Sequence, residues 1–268
     1  MKIITSTKEI DISDYGLKCL KYHITSPELI NNTETVDGRD GVVFLDNTYS
    51  PRPITVEMFL ESKDLIDLYL LQSDLNRLFA KKEPFYVIFK RESTKRWKVL
   101  LDKPFELEKI GLYNGSFNLE LISFLPFAES IGKTLDPYTM TSNLWAVGMG
   151  LIAEDVEYIH NTGTFRIYNA GDVPIDPRTV PLNIKFVGAS NNLTITNLTT
   201  GDEWKYNGTS NVGDVIEING IRPFKNGTSI LKSTNKKLIS IDSGWNDFMI
   251  TGVTGFFEIS FDFRFYYL

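Results

Sequence analysis

The chain of 268 residues is 42% hydrophobic, 13% aromatic and 23% charged, with a formal net charge of −6. Its aromatic content supports a buried core and excludes a disordered chain. No apolar run approaches the ~18 residues of a membrane helix, and the acidic balance disfavours a protein that grips duplex DNA, which needs a basic face. The opening Met1-Lys2-Ile3-Ile4-Thr5-Ser6 turns polar at once without an apolar signal core, which implies a protein made in a cytoplasm and kept there or released by lysis. Cys19, the single cysteine, excludes an intrachain disulfide and reads as a small buried hydrophobe beside Leu17 and Leu20.

In chain order, Asp37-Gly38-Arg39-Asp40-Gly41 comes first. It has too few carboxylates at alternate positions for a calcium loop and reads as a tight turn between strands. Ile54, Val56, Met58 and Leu60 then alternate with polar residues at strand period. From Leu65 to Phe79 apolar residues recur at three- and four-residue steps. The spacing predicts a helix of roughly five turns, capped by Ser62, with Asp64 in its first turn, Lys81 and Lys82 at its C-terminal end, and Pro84 as its stop. It carries more apolar residues than one buried stripe requires. Further strands are predicted around Phe85–Phe89, Trp97–Leu101, Phe105–Leu107 and Phe117–Leu121, the last two joined by an Asn114-Gly115 hairpin turn.

The pattern lapses between residues 126 and 143, a candidate linker with Pro126, Gly132 and Pro137. After it there is no helical period. Leu182, Ile184 and Phe186 alternate with polar residues, as do Leu193 and Ile195, and the chain ends on a long strand with Phe257, Ile259, Phe261, Phe263 and Phe265 on one side. Turns at Asn207-Gly208, Asn219-Gly220 and Asn226-Gly227 punctuate this half, as expected of an all-β sandwich. Its longest stretch without alternation, Asn169 to Pro181, is a proline-stiffened loop, so no long arm is expected here. Asn-x-Ser/Thr sequences at Asn114, Asn192, Asn197, Asn207 and Asn226 read as turn chemistry rather than glycan sites.

The residue types that carry chemistry do not assemble into a site. His23 and His160 lie in different halves, and no cysteine partners them in zinc spacing. Gly148-Met149-Gly150 lacks the rest of a phosphate loop, and Gly115-Ser116-Phe117 lacks the second glycine of a nucleophile elbow. Glu217, Asp242, Glu258 and Asp262 could supply the two carboxylates of a glycosidase, but each alternates with apolar residues and belongs to a solvated strand face. Trp145, Trp204, Tyr206 and Trp245 could form a sugar-stacking platform, which keeps a carbohydrate-binding module aiding cell-wall adhesion as the alternative function. Core packing explains the same four residues more simply. No catalytic, cofactor-binding or metal-ligating residue is assigned, and no cofactor is expected.

Glu34-Thr35-Val36-Asp37-Gly38-Arg39-Asp40-Gly41, then Pro53-Ile54-Thr55-Val56, the helix ending near Leu78-Phe79 and Glu83-Pro84-Phe85, resemble the N-terminal domain of the siphophage distal tail proteins. In the second half Asn169-Ala170-Gly171-Asp172, Ile195 to Gly201, Val212 to Ile216 and the terminal Phe261 to Leu268 are similar to the galectin-like C-terminal domain of that family. The resemblance implies a mainly β protein. Residues 1–132 would be a ring-forming β-sandwich or barrel-like tail domain with one long helix, and residues 133–268 a galectin-like or carbohydrate-binding-module-like sandwich. It further implies a structural, non-enzymatic phage tail-tip component: a homohexameric ring with a channel for DNA, meeting the tail tube protein, a tail-associated hub protein and a receptor-binding protein. Its place would be the virion tail tip, after assembly in the cytoplasm of a Gram-positive host, without membrane insertion or specific nucleic-acid binding. A lumen that passes DNA quickly is expected not to be basic.

Overall fold

The computed structural model describes residues 1–5, 8–139, 142–152 and 154–268. Ser6 of the opening stretch, and Met140 and Thr141 of the candidate linker, lie outside the described residues. The chain is mainly β, with one α-helix among the described residues. It divides into two compact units, Met1–Ala128 with Leu268, and Glu129–Tyr267.

The first unit contains β1 (Lys2–Ile4), β2 (Glu9–Asp11), β3 (Leu17–Ile24), β4 (Leu29–Glu34), β5 (Val43–Tyr49), β6 (Arg52–Glu61), α1 (Leu65–Phe79), β7 (Phe85–Ile88), β8 (Lys95–Leu101), β9 (Glu108–Ile110) and β10 (Asn114–Ser123). All of these strands but β4 and β5 belong to one sheet, with path order β2-β1-β7-β8-β10-β6-β3 and β9 beside β10. Strand period decides which side of β6 is buried: Ile54, Val56, Met58 and Leu60 are fully covered while the residues between them face out. β10 runs antiparallel to β6 over its whole length, and its Phe117, Leu119 and Leu121 join the same core.

Helix α1 lays Leu68, Leu75, Leu78 and Phe79 on that core, where the Phe79 ring meets Phe85, Phe105 and Phe117 at 6.2–6.5 Å. It spans 15 residues, about four turns and not five. Asp64, not Ser62, is the N-cap: its carboxylate accepts from the Asp67 N–H at 2.8 Å. Ser62 instead donates its hydroxyl to the Tyr113 carbonyl. Ala80 caps the other end, leaving Lys81 and Lys82 beyond it and Arg77 in the last turn.

Two further expectations shift. Asn114 is the first residue of β10, and the turn before it is Gly111–Tyr113, with Gly111 at φ +72°. Phe105 and Leu107 lie outside any strand, Phe105 being held by ring packing 4.9 Å from Phe117. Cys19 is half-buried. Leu17 is buried beside it, but a β-bulge between Cys19 and Lys21 turns Leu20 out to solvent.

The candidate linker is not loose. It contains β11 (Ala128–Ser130), and buried Thr134 donates its hydroxyl to the Phe261 carbonyl at 2.7 Å while accepting from the Phe263 N–H at 3.1 Å. Tyr138 stacks on buried Trp145 with ring centroids 4.6 Å apart.

The second unit continues with β12 (Ile159–His160), β13 (Thr164–Asn169), β14 (Leu182–Asn197), β15 (Asp202–Lys205), β16 (Thr209–Ser210), β17 (Val215–Asn219), β18 (Arg222–Lys225), β19 (Thr228–Ser229), β20 (Gly244–Phe263) and β21 (Tyr266–Tyr267). β14 and β20 are its spine. They pair antiparallel along most of their length, with irregularities between Gly188 and Ser190 and between Ser190 and Thr194. At that corner Gly252 takes φ +80°, and a Cβ there would meet the Asn192 carbonyl oxygen at 2.5 Å, so only glycine fits. The expected Phe257, Ile259, Phe261, Phe263 and Phe265 series is buried throughout. From β13 onward no inserted lobe is seen among the described residues, as expected for that half. The longest connections between its described strands from β13 onward are residues 170–181 and 230–243, and both are pinned by the Ile175–Ile241 bridge.

Asn192 and Asn226 take left-handed turn conformations, whereas Asn197 is fully buried and hydrogen-bonded to Asn246. Asp214 closes the Asn211 turn. Its carboxylate accepts from the Asn211 N–H, the Asn226 amide and Lys225, and these hold its pKa down at about 2. The folded value lies below the unfolded one, near 3.9. The contribution of Asp214 to stability is therefore present above pH ~4 and lost as pH falls toward 2. Carbon-detected NMR titration is expected to place its midpoint near 2, and a midpoint near 3.9 would show that this turn is open in solution.

Candidate assembly surface

The groups that could carry catalysis are dispersed. His23 is exposed in the first unit, whereas His160 stacks on Phe165 at 4.2 Å with its Nε2 3.0 Å from the Glu157 carbonyl. Burial pushes the His160 pKa down. Glu217 accepts from the Asn183 amide at 3.0 Å, Asp262 pairs with Lys133 at 2.7 Å, Glu258 is exposed, and Asp242 lies outside the strands where it was expected. Among the described residues no three His, Cys, Asp or Glu side chains converge as metal ligands. The sugar platform is not formed either. Trp145, Trp204 and Tyr206 are buried, and Trp245 carries the Arg166 guanidinium over its ring at 4.3 Å.

What the first unit does present is unpartnered apolar surface. Strands β4 and β5 pair only with each other, forming a separate two-stranded sheet. Every residue of β4, and all of β5 except half-buried Val43, is exposed. The exposed side chains include Leu29, Ile30, Phe44 (59% exposed) and Leu45. The Asp37–Gly41 segment is the turn at the tip of this arm, with Gly38 and Gly41 at φ +78° and +80°. An isolated hairpin is marginal in water, so an arm with apolar side chains on both faces is built to be covered.

The arm is rooted firmly. The Ser50 N–H donates to the Glu28 carbonyl at 2.9 Å to close its base. Buried Arg52 donates from Nε to the Thr25 carbonyl at 2.6 Å and from Nη1 to the Pro126 carbonyl at 3.2 Å, with its guanidinium 5.0 Å above the Trp97 ring. A second exposed patch lies along α1. Leu65, Ile66 (73% exposed), Tyr69 and Leu70 face solvent, next to Leu112 and Tyr113 of the β9–β10 turn. Two hydrogen bonds tie this hairpin to the helical segment: Ser62, just before the helix, donates to the Tyr113 carbonyl, and Lys109 of β9 donates to the Tyr69 hydroxyl at 3.2 Å. The surplus of apolar residues in the helical stretch is thus a second exposed face.

Residues 10–123 match the family described as phage tail protein RIFT-related domain. No curated protein sequence matches the chain. Its fold is that of SPP1 Dit (gp 19.1), whose crystal structure is described as a paradigm of the hub adsorption apparatus in Gram-positive infecting phages. The two share 13% identity and a TM-score of 0.72, over 98% of both chains. Two structures of the phage p2 baseplate in its activated conformation, with Sr and with Ca, also align over 98% of this chain, each at 11% identity, with TM-scores of 0.47 and 0.48. The resemblance to siphophage distal tail proteins is borne out, by the tail-protein match over the first unit and by the shared fold over the whole chain.

Proposed function

We propose that this phage tail protein closes into a homohexameric ring at the virion tail tip, joining the tail tube to the tail-tip hub and receptor-binding apparatus around a channel for DNA. The observation that carries the reading is the free β4–β5 arm, which leaves Leu29, Ile30, Phe44 and Leu45 exposed. A ring needs head-to-tail contacts on two sides of each subunit, and a ring stacked on a tube also needs an axial contact. The arm supplies the lateral contact and the exposed face of α1 the axial one. Residues 1–132 form the ring in this reading, and the galectin-like residues 133–268 hold other tail-tip parts. The adhesion-module alternative has no stacking platform to rest on, since three of its four aromatic residues are core.

Light scattering on a sizing column, followed by negative-stain imaging, tests the reading. The intact chain is expected at six copies, and a variant with Leu29–Tyr49 replaced by a short Gly-Ser turn at one copy with its thermal transition retained. A strictly single-copy mass for the intact chain at tens of micromolar would overturn it.

A further inference from the structure

The charge of the first unit is distributed unevenly. From Leu29 to Tyr49 the arm carries Glu34, Asp37, Asp40 and Asp46 against Arg39 alone, a net −3. From Lys90 to Lys103, the turn before β8, β8 itself and the two residues after it carry six lysines and arginines against Glu92 and Asp102, a net +4 on a chain whose total is −6. The two segments lie in one unit, but the arm carboxylates make no ion pair with the basic segment among the described residues. Lys90, Arg91 and Lys98 are exposed. Within the segment, Lys95 and Arg96 are half-buried, Arg96 covering the Tyr86 ring at 3.9 Å, and Lys103 is occupied by Glu120 at 2.7 Å, so Lys90, Arg91 and Lys98 are the cations turned outward.

The basic segment also has an apolar companion. Ser123 donates its hydroxyl to the Lys98 carbonyl at 3.0 Å, which fixes its exposed neighbour Phe124 (61%) beside this strand. Acidic charge with exposed Phe44 and Leu45 stands on the arm, and basic charge with exposed Phe124 stands on the body.

We propose that the β4–β5 arm of one copy docks on the Lys90–Lys98 face of the next, Glu34, Asp37 and Asp40 facing Lys90, Arg91 and Lys98 around an apolar contact at Phe124. The inference rests on the ring reading and says which surface meets which. Strands of six and seven residues at about 3.3 Å each give the arm a reach of about 20 Å, enough to cross a subunit boundary. Complementary charge of this kind steers association and fixes register, and it weakens as salt rises. It also turns the basic stretch of the first unit toward a protein neighbour and away from DNA in the channel. A second copy is favoured over nucleic acid as occupant because this chain itself carries the matching acidic and apolar arm.

A charge swap in the full chain tests the proposal. One variant carries E34K, D37K and D40K; the other carries K90E, R91E and K98E. All six positions are exposed, so both are expected to fold with an unchanged circular dichroism spectrum and melting temperature. Each variant alone is expected to need at least tenfold more protein to assemble. An equimolar mixture is expected to recover assembly, because each reversed arm then finds a reversed face. Assembly of the unmodified chain is expected to weaken tenfold or more between 50 mM and 500 mM NaCl. Two variants that assemble like the unmodified chain would overturn the docking while leaving the ring intact. Failure of the unmodified chain to assemble would overturn the ring reading itself. Retardation of duplex DNA at 150 mM NaCl that is lost with K90E/R91E/K98E, with assembly unaffected by the arm variant, would reassign the basic face to nucleic acid.

Discussion

Phe261→Ala is expected to destabilise the second unit by about 3–5 kcal/mol in urea unfolding, the range for a large aromatic removed from a packed core. Phe261 is fully buried near the C-terminal end of β20, with Phe248 and Phe165 at 4.9 and 5.8 Å between ring centroids, and it pairs across the sheet with Ile184. Its N–H donates to the Tyr158 carbonyl at 2.9 Å, so the same position ties the segment before β12 to the spine. The side chain cannot be replaced by relaxation of one neighbour, because both rings around it are themselves held by β13 and β20. Phe256→Ala is the control. Phe256 is 77% exposed five residues earlier on the same strand, and its loss is expected to stay within about 0.5 kcal/mol. Unfolding should be followed by probes in each unit, since two compact units need not unfold together. Equal effects of the two substitutions would mean that β20 is not the spine of a close-packed unit.

Arg52→Leu is expected to cost about 2–4 kcal/mol and to loosen the root of the arm. Leucine keeps an apolar stem near Trp97 but leaves the Thr25 and Pro126 carbonyls without their donor, and a buried unpaired acceptor costs ~1–3 kcal/mol. Burial pushes the Arg52 pKa down, against the attraction of Glu92, yet guanidinium stays charged at any working pH. Hydrogen exchange is expected to accelerate at Thr25 and Ser50, whose N–H groups close the base of the arm on the Pro53 and Glu28 carbonyls, and to stay unchanged in the second unit. Protection equal to that of the unmodified chain at both amides would show that Arg52 does not hold the root. Arg52→Lys is expected to recover only part of the loss, because one ammonium cannot reproduce the fork that reaches two carbonyls.

These two positions differ in how far the sequence announces them. Phe261 stands in a five-residue apolar alternation that can be read directly. Arg52 gives no such signal: an arginine before a strand reads as a surface charge, and only the convergence of Thr25, Trp97 and Pro126, residues 27 to 74 positions away, makes it an interior residue. The same holds for the assembly surface. The glycine turn at its tip was legible, but Leu29-Ile30 and Val43-Phe44-Leu45 have apolar neighbours on both faces and no alternation, so nothing in the order of residues says that strands form there or that neither face is covered.

The sequence by itself determined the mainly β class, the alternating faces of β6, β10, β14 and β20, the position of helix α1 and, through the order of its motifs, the resemblance to tail proteins. Alternation and helical period are local properties of the backbone, and they report which side of an element is apolar. Tertiary structure alone decided which apolar sides find a partner. It chose Asp64 over Ser62 as the helix cap by drawing the Ser62 hydroxyl to the Tyr113 carbonyl. It buried Trp145, Trp204 and Tyr206 as core and left Phe44, Ile66 and Phe124 in solvent. Burial depends on what lies opposite a side chain in space, and residues far apart in sequence supply that.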